Sequence, residues 1–377
     1  MDYWSNYTFA WWTVILEGII ILVVLSVLTV AANYALQERR LHRVVQVILL
    51  LISAILLLIS GITLWISTLS DDMRETLNVP EINQDDALLS FIIFFITSSL
   101  AAAMLLYNVR AWLARFFPKR QAPSSVEKYA GVYLPTDPNA LTLQGFDPAN
   151  TVHMVALIIA VFLLGTQLGN FVLGGGLEGL AETTRITLES LVINFLPQVI
   201  VPLLGVGLFL RRSWPEVMAR LGLTQPKSRM GILPPMIESL LAGAGMGVVM
   251  FLGAGLIALI WSLLVSPETF EAQTEATEAI ADSINSWQIV FAVALAASIG
   301  EEIAFRGALQ PIFGFWATAL LFTAVHIQYT LTPASLLIFV VALALGWLRQ
   351  NFNLWAAISA HFVYNFIQLA LALLANS

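Results

Sequence analysis

The sequence predicts an all-α, polytopic transmembrane helical bundle of about ten spans, and three observations predict it. Of the 377 residues, 59% are hydrophobic and only 11% are charged, with a mean hydropathy of +0.84; an ordinary soluble domain is less apolar and carries about 25% charged residues. The apolar residues fall in runs of roughly 17 to 25, the length that takes a helix across about 30 Å of hydrocarbon. The connections between these runs alternate between basic and acidic, as expected of a chain threaded back and forth through a membrane.

The runs lie at 9–35, 44–68, 88–109, 151–173, 187–210, 235–265, 286–306, 314–329, 332–348 and 354–374. "MDYWSNYTFA" has no basic n-region and precedes a run long enough to stay in the bilayer, so the first segment is expected to be retained. Arg39, Arg40 and Arg43 follow the first run, and Arg110, Arg115, Lys119, Arg120 and Lys128 follow the third. Arg211, Arg212, Arg220, Lys227 and Arg229 follow the fifth, and Arg349 follows the ninth. These loops are expected in the cytoplasm, with both termini facing outward. Runs eight and nine are short and separated only by "TLTP", so they read either as two spans or as a re-entrant pair.

A polar stretch at 118–150, rich in Pro, Ser, Asp and Asn, reads as a cytoplasmic loop or linker. It divides a three-span region, 1–117, from a seven-span region, 151–377. "WPEVMARLGL", with Pro215 at its start and Pro226 beyond its end, reads as a short amphipathic helix and is expected to anchor at the membrane interface. Gly174 to Gly176 and the small residues of "LAGAGMGVVMFLGAG" fit close helix packing. No Gly-Lys-Ser/Thr follows them, which argues against a phosphate loop. Cysteine is absent, which excludes disulfides, thiolate metal sites and cysteine nucleophiles. The net charge of −7 matters less than where each sign lies; the expected partners are membrane lipids and a membrane-associated protein or peptide, not nucleic acid.

Ionisable side chains inside a span cost about 2.5 to 3.5 kcal/mol each on insertion scales, and they normally face a bundle interior. The last quarter of the chain gathers several. "SIGEEIAFRG" places Glu301, Glu302 and Arg306 in the seventh run, "LLFTAVHIQ" places His326 in the eighth, and "ISAHFVYNF" places His361 and Asn365 in the tenth. Glu302 and Arg306 are four residues apart and meet on one helical stripe as an ion pair. Glu301 is turned about 100° away, so it is the carboxylate left without that partner and suited to proton transfer. His361 and Asn365, also four apart, present an imidazole and an amide toward one point. A carboxylate to hold water, a histidine to orient it and two donors for an oxyanion are the parts needed to hydrolyse an amide. Glu301 is about 21 Å along the helix from Trp287, in the cytoplasmic part of the bilayer. Glu17, Glu238, His153 and His42 are isolated and read as interfacial.

At these residues the sequence resembles the CPBP family of intramembrane proteases, which includes the type II CaaX prenyl endopeptidases, bacteriocin-processing-like Abi proteins and many bacterial members. The family pattern is EExxxR, FxxxH and HxxxN on separate membrane helices; here it reads Glu301, Glu302 and Arg306, then Phe322 and His326, then His361 and Asn365. The resemblance extends over about 190–377, including "LGLTQP", and leaves the first three spans outside. It implies an endopeptidase in a prokaryotic cell membrane, in which Glu301 activates water, His326 helps hold it, and His361 with Asn365 stabilise the oxyanion. Glu302 and Arg306 would be structural and Phe322 would pack beside His326. Glu301, His326 and His361 would also make a two-histidine, one-carboxylate zinc set. With no HExxH and with an amide at position 365, the metal-free reaction is favoured and no cofactor is expected. The alternatives are a non-proteolytic immunity or scaffold protein of the same fold, and a proton-coupled transporter, which would show inverted repeats that are not evident here.

Overall fold

In the computed structural model, residues 3–79, 81–118, 126–129, 132–135, 145–176, 187–224, 231, 233–267, 270, 284–327 and 334–375 are described, with the side chains of 3–14, 126–135 and 334 excepted. Lys119, Arg120, Pro226, Lys227, Arg229, most of the acidic connection after Ser266 and the "TLTP" link lie outside this set.

Eight helices among the described residues are long and apolar enough to cross a membrane. They are α1 (Tyr3–Tyr34), α2 (Arg39–Ser67), α4 (Gln84–Met104), α6 (Thr151–Leu173), α7 (Leu188–Gly205), α9 (Pro235–Ser262), α10 (Trp287–Glu301) with its continuation to Phe313, and α14 (Leu354–Ala375). Shorter helices are α3 (Asp71–Leu77), α5 (Tyr107–Leu113), α8 (Trp214–Leu221), α11 (Gln310–Phe313), α12 (Phe315–Val325) and α13 (Ala334–Asn351). The expected spans eight and nine correspond to α12 and α13. The 11 residues of α12 make only about 16 Å of helix, too short to cross about 30 Å of hydrocarbon, and His326 follows as its C-cap. The 118–150 stretch contains a two-stranded antiparallel hairpin, β1 (Val126–Tyr129) on β2 (Val132–Pro135), with Glu127 opposite Leu134.

Two groups of helices share the molecule. In the N-terminal group, Leu28 and Ala32 of α1, Val45 and Leu49 of α2, Ala101 of α4 and Met154 and Ile158 of α6 form one buried cluster. The sequence division at 150 put α6 with the later spans, whereas in the structure it packs most extensively on α4. The C-terminal group is centred on α14, which lies between α9 and α10. Contact with α9 is close because Gly243 and Gly247 face α14: a Cβ at these positions would come within 2.2 Å of the Ala356 carbonyl oxygen and 2.5 Å of that of Ala360. Small residues thus do what the sequence predicted, but only on this face. Gly245, Gly253 and Gly255 face open space, and Gly174 approaches only its own helix.

The amphipathic helix α8 forms where expected, between a Ser213–Glu216 capping box and Gly222, whose φ of +81° ends it in the left-handed conformation. Its apolar face packs on the protein. Val217 and Leu221 are fully buried with Ile303 and Leu354, while Arg220 donates to the Gly307 carbonyl at 3.0 Å. Leu354 N–H donates to the Gly222 carbonyl and Trp355 Nε1 to that of Leu223, so the same loop is tied to the start of α14.

Candidate active site

The run containing "EEIAFRG" is not α-helical throughout. From Glu302 to Leu309 the backbone is a π-helix, entered directly from α10 and left through α11. Such segments are uncommon and recur at functional sites. This one carries Glu302 and Arg306, and Glu301 is the last α-helical residue before it.

The Glu302–Arg306 pair is formed as the spacing predicted, with Arg306 Nη1 donating to Glu302 Oε1 at 2.9 Å. Both side chains are buried. Glu302 does more than was expected of it, because the same Oε1 also accepts from His361 Nδ1 at 3.0 Å. Arg306 donates its other arm to the Ala342 carbonyl at 3.3 Å and stacks over the Phe322 ring at 4.0 Å. Four elements, the π segment, α12, α13 and α14, are held by this one network. No spacing rule links residue 302 to 361, so the histidine's second partner was invisible in the sequence.

Phe322 is the centre of the site's wall. Its ring lies 4.5 Å from the His326 imidazole and 6.1 Å, edge-on, from that of His361, with Phe305 against it at 5.1 Å. His326 caps the end of α12, and its Nδ1 donates to the Phe322 carbonyl at 2.6 Å. A carbonyl only accepts, so Nδ1 carries the proton and Nε2 is the nitrogen turned to the site.

Glu301 is arranged differently from Glu302. Its Oε2 is buried and makes no hydrogen bond among the described residues; it faces His326 Nε2 at 3.8 Å and His361 Nε2 at 4.0 Å. A buried carboxylate oxygen left so is an exception among native polar groups, and two imidazoles converge on it. Tetrahedral zinc ligands at 2.0–2.1 Å stand about 3.3 Å apart. The carboxylate–imidazole separations here exceed that, and among the described residues no group of three His, Asp or Glu is arranged to hold a metal.

A cavity of about 430 Å³ ends on this site, and Glu301 and His326 line it. Its other walls come from α1, α6, α7, the loop before α8 with Arg220 of α8, the π segment, α11 and α12. His361 and Asn365 are not among the lining residues. His361 is buried, and Asn365 is half-buried one turn further along α14. Of the isolated residues read as interfacial, His153 and Glu238 are buried, and His42 Nδ1 lies 2.8 Å from Thr151 Oγ1. Glu17 is exposed on α1.

Neither the curated proteins nor the solved structures contain a match to this chain. Residues 283–367, a stretch that takes in Glu301, Glu302, Arg306, Phe322, His326, His361 and Asn365, match the family model described as type II CAAX prenyl endopeptidase Rce1-like. With eight helices long and apolar enough to cross a membrane and paired glutamates facing two histidines, this integral membrane protein is similar over residues 283–367 to the Rce1-like type II CAAX prenyl endopeptidases.

Proposed function

We propose that the protein is an intramembrane endopeptidase that hydrolyses a peptide bond of a membrane-associated protein or peptide with water activated by Glu301. The observation that carries this is the buried Glu301 Oε2, with histidine nitrogens at 3.8 and 4.0 Å, at the end of a cavity. Water bound between Glu301 and His326 would give a proton to the carboxylate as its oxygen attacks the substrate carbonyl carbon. The C–N bond then breaks as the same proton passes to the departing amine. Charge developing on the carbonyl oxygen would be met by His361, with Asn365 completing the donor set. Glu302 holds His361 by its Nδ1 and so keeps Nε2 aimed at the reaction. The basic loops after α1, after α5 and around α8 favour a cytoplasmic opening of the cavity and outward-facing termini.

The test is Glu301→Gln in purified, reconstituted protein with a membrane-proximal peptide library. Cleavage is expected to fall about 10²- to 10⁴-fold, the size of a lost general base, while thermal stability in detergent stays at the wild-type value. Chelation is expected to leave turnover unchanged; loss restored by zinc alone would replace the metal-free mechanism with a zinc-bound one. Equal cleavage by wild type and variant would end the hydrolase proposal in favour of a scaffold of the same fold.

A further inference from the structure

Arg211, Arg212 and Arg220 line the same cavity as Glu301 and His326, and the hydrolytic chemistry makes no use of them. Among the described residues their hydrogen-bond acceptors are all neutral. Arg211 Nε donates to Asn33 Oδ1 at 2.6 Å, Arg212 Nη1 donates to the Val206 carbonyl, and Arg220 donates to the carbonyls of Gly307 and Ala308 at 3.0 and 3.4 Å. Among the described residues no carboxylate comes within 4.0 Å of any of the three. Glu216, the acid beside Arg212 in sequence, is held by Ser213 through both the backbone N–H and the hydroxyl. A guanidinium has five N–H donors, and Glu216 acts on Arg212 only through its charge, so among the described residues several donors converge here without a hydrogen-bonded anion.

The cost of this arrangement is visible in the Arg220 guanidinium, only 2% exposed. Burial, together with the charges of Arg212, Arg349 and Arg211, pushes it down to about 9. Burial first and then Arg212 push Arg211 down to about 10. An anion in the cavity would relieve both desolvation and mutual repulsion.

Three features point to a lipid as the source of that anion. The walls beyond the arginines are apolar and come from membrane helices: Leu25 of α1, Ile159 and Leu163 of α6, and Val201 of α7. The loop that carries Arg211 and Arg212 also holds Phe209 outward at 81% exposure, in a left-handed backbone conformation (φ 58°) that a bulky residue rarely adopts. Trp214, at the start of α8, is 51% exposed. Aromatic side chains projecting at the level of a basic cluster mark the headgroup region of a bilayer, and basic pockets between membrane helices on that side take anionic headgroups.

We propose that the cavity is a binding site for an anionic phospholipid, with its phosphate on Arg211, Arg212 and Arg220 and an acyl chain between α1, α6 and α7. The site stands on the arginines and apolar walls, so it holds whether or not Glu301 activates water. The test uses the full-length protein in detergent, with retention of phosphatidylglycerol, phosphatidylcholine of the same chain length, and inorganic phosphate read by native mass spectrometry. Phosphatidylglycerol is expected to be retained in preference, and Arg211→Gln with Arg212→Gln to weaken it about 30-fold, taking about 1 kcal/mol per basic residue. Should the double variant not fold, Arg211→Gln alone, whose side chain reaches solvent, is expected to weaken it about fivefold. Equal retention of the two lipids, or undiminished retention by a folded variant, overturns the proposal. Displacement of the lipid by millimolar inorganic phosphate would make the site one for soluble phosphate and overturn it equally.

Discussion

Arg306 and Arg220 are both buried guanidiniums, 1% and 2% exposed, and they are held on different terms. Arg306 has a carboxylate at 2.9 Å and an aromatic face at 4.0 Å, and the carboxylate is shared with a histidine. Among the described residues Arg220 donates to the carbonyls of Gly307 and Ala308, and the charges of Arg212, Arg349 and Arg211 bear on it. The two lie along the same π segment, since the carbonyls that Arg220 reaches belong to the residues just after Arg306. A cation buried with its partner locks helices together. One buried without an anion keeps donors available to something that arrives from outside.

Breaking the paired side should produce the largest effect. Glu302→Ala leaves the Arg306 charge buried and uncompensated, and about 3–5 kcal/mol of stability is expected to be lost, measured by denaturant unfolding in mixed micelles. Replacing both members, Glu302→Leu with Arg306→Met, is expected to cost less than the single change; a double variant as unstable as Glu302→Ala would show that charge pairing is not what the network contributes. Next in size is Gly247→Leu. Its side chain would drive into the Ala360 carbonyl beside His361, and about 1–3 kcal/mol is expected to be lost together with activity. An unchanged variant would mean that α9 does not position α14.

The unpaired side should respond in the opposite sense. Arg349 Nε and Nη2 are buried with no hydrogen-bond partner among the described residues, so Arg349→Met is expected to be neutral or mildly stabilising in the same unfolding assay. A loss of more than about 2 kcal/mol would show that Arg349 has a partner in the membrane-bound protein. The smallest effect belongs to Glu216. Hydrogen bonds from the Ser213 backbone and side chain hold its carboxyl below the ordinary 4.5. A depressed acid contributes stability that is fully present above the unfolded value and is lost as pH falls through the folded one. Protection of α8 amides against hydrogen exchange should therefore be constant above about pH 4.5 and fall only below it, and Glu216→Gln should remove that dependence.

Much of the fold was legible because its signals are local. Run length and composition mark membrane helices, Ser213, Pro215 and Gly222 bound α8, and the four-residue interval between Glu302 and Arg306 gives their pairing. The short α12 was legible as a weak span. What the sequence did not carry was anything depending on elements distant in the chain. The docking of α8 against the π segment is an instance, because its hydrophobic stripe would look the same on a bilayer. The π-helix was also hidden, since no residue in "EIAFRGAL" demands i→i+5 bonding over i→i+4.

By itself the sequence determined that the chain is a membrane-embedded helical bundle with Glu301, Glu302, His326 and His361 in its last quarter, because hydrocarbon thickness and the cost of intramembrane charge act on short stretches of any chain. The spacing also paired Glu302 with Arg306 and left Glu301 apart, but only the tertiary structure decided what else each carboxylate meets. Glu302 receives His361 as well as Arg306, while among the described residues Glu301 Oε2 receives no donor, and that difference depends on where α12 ends and how closely α14 approaches. It also set Arg211, Arg212 and Arg220 on the cavity that Glu301 and His326 line, because partners for buried charge are supplied by packing between helices far apart in the chain.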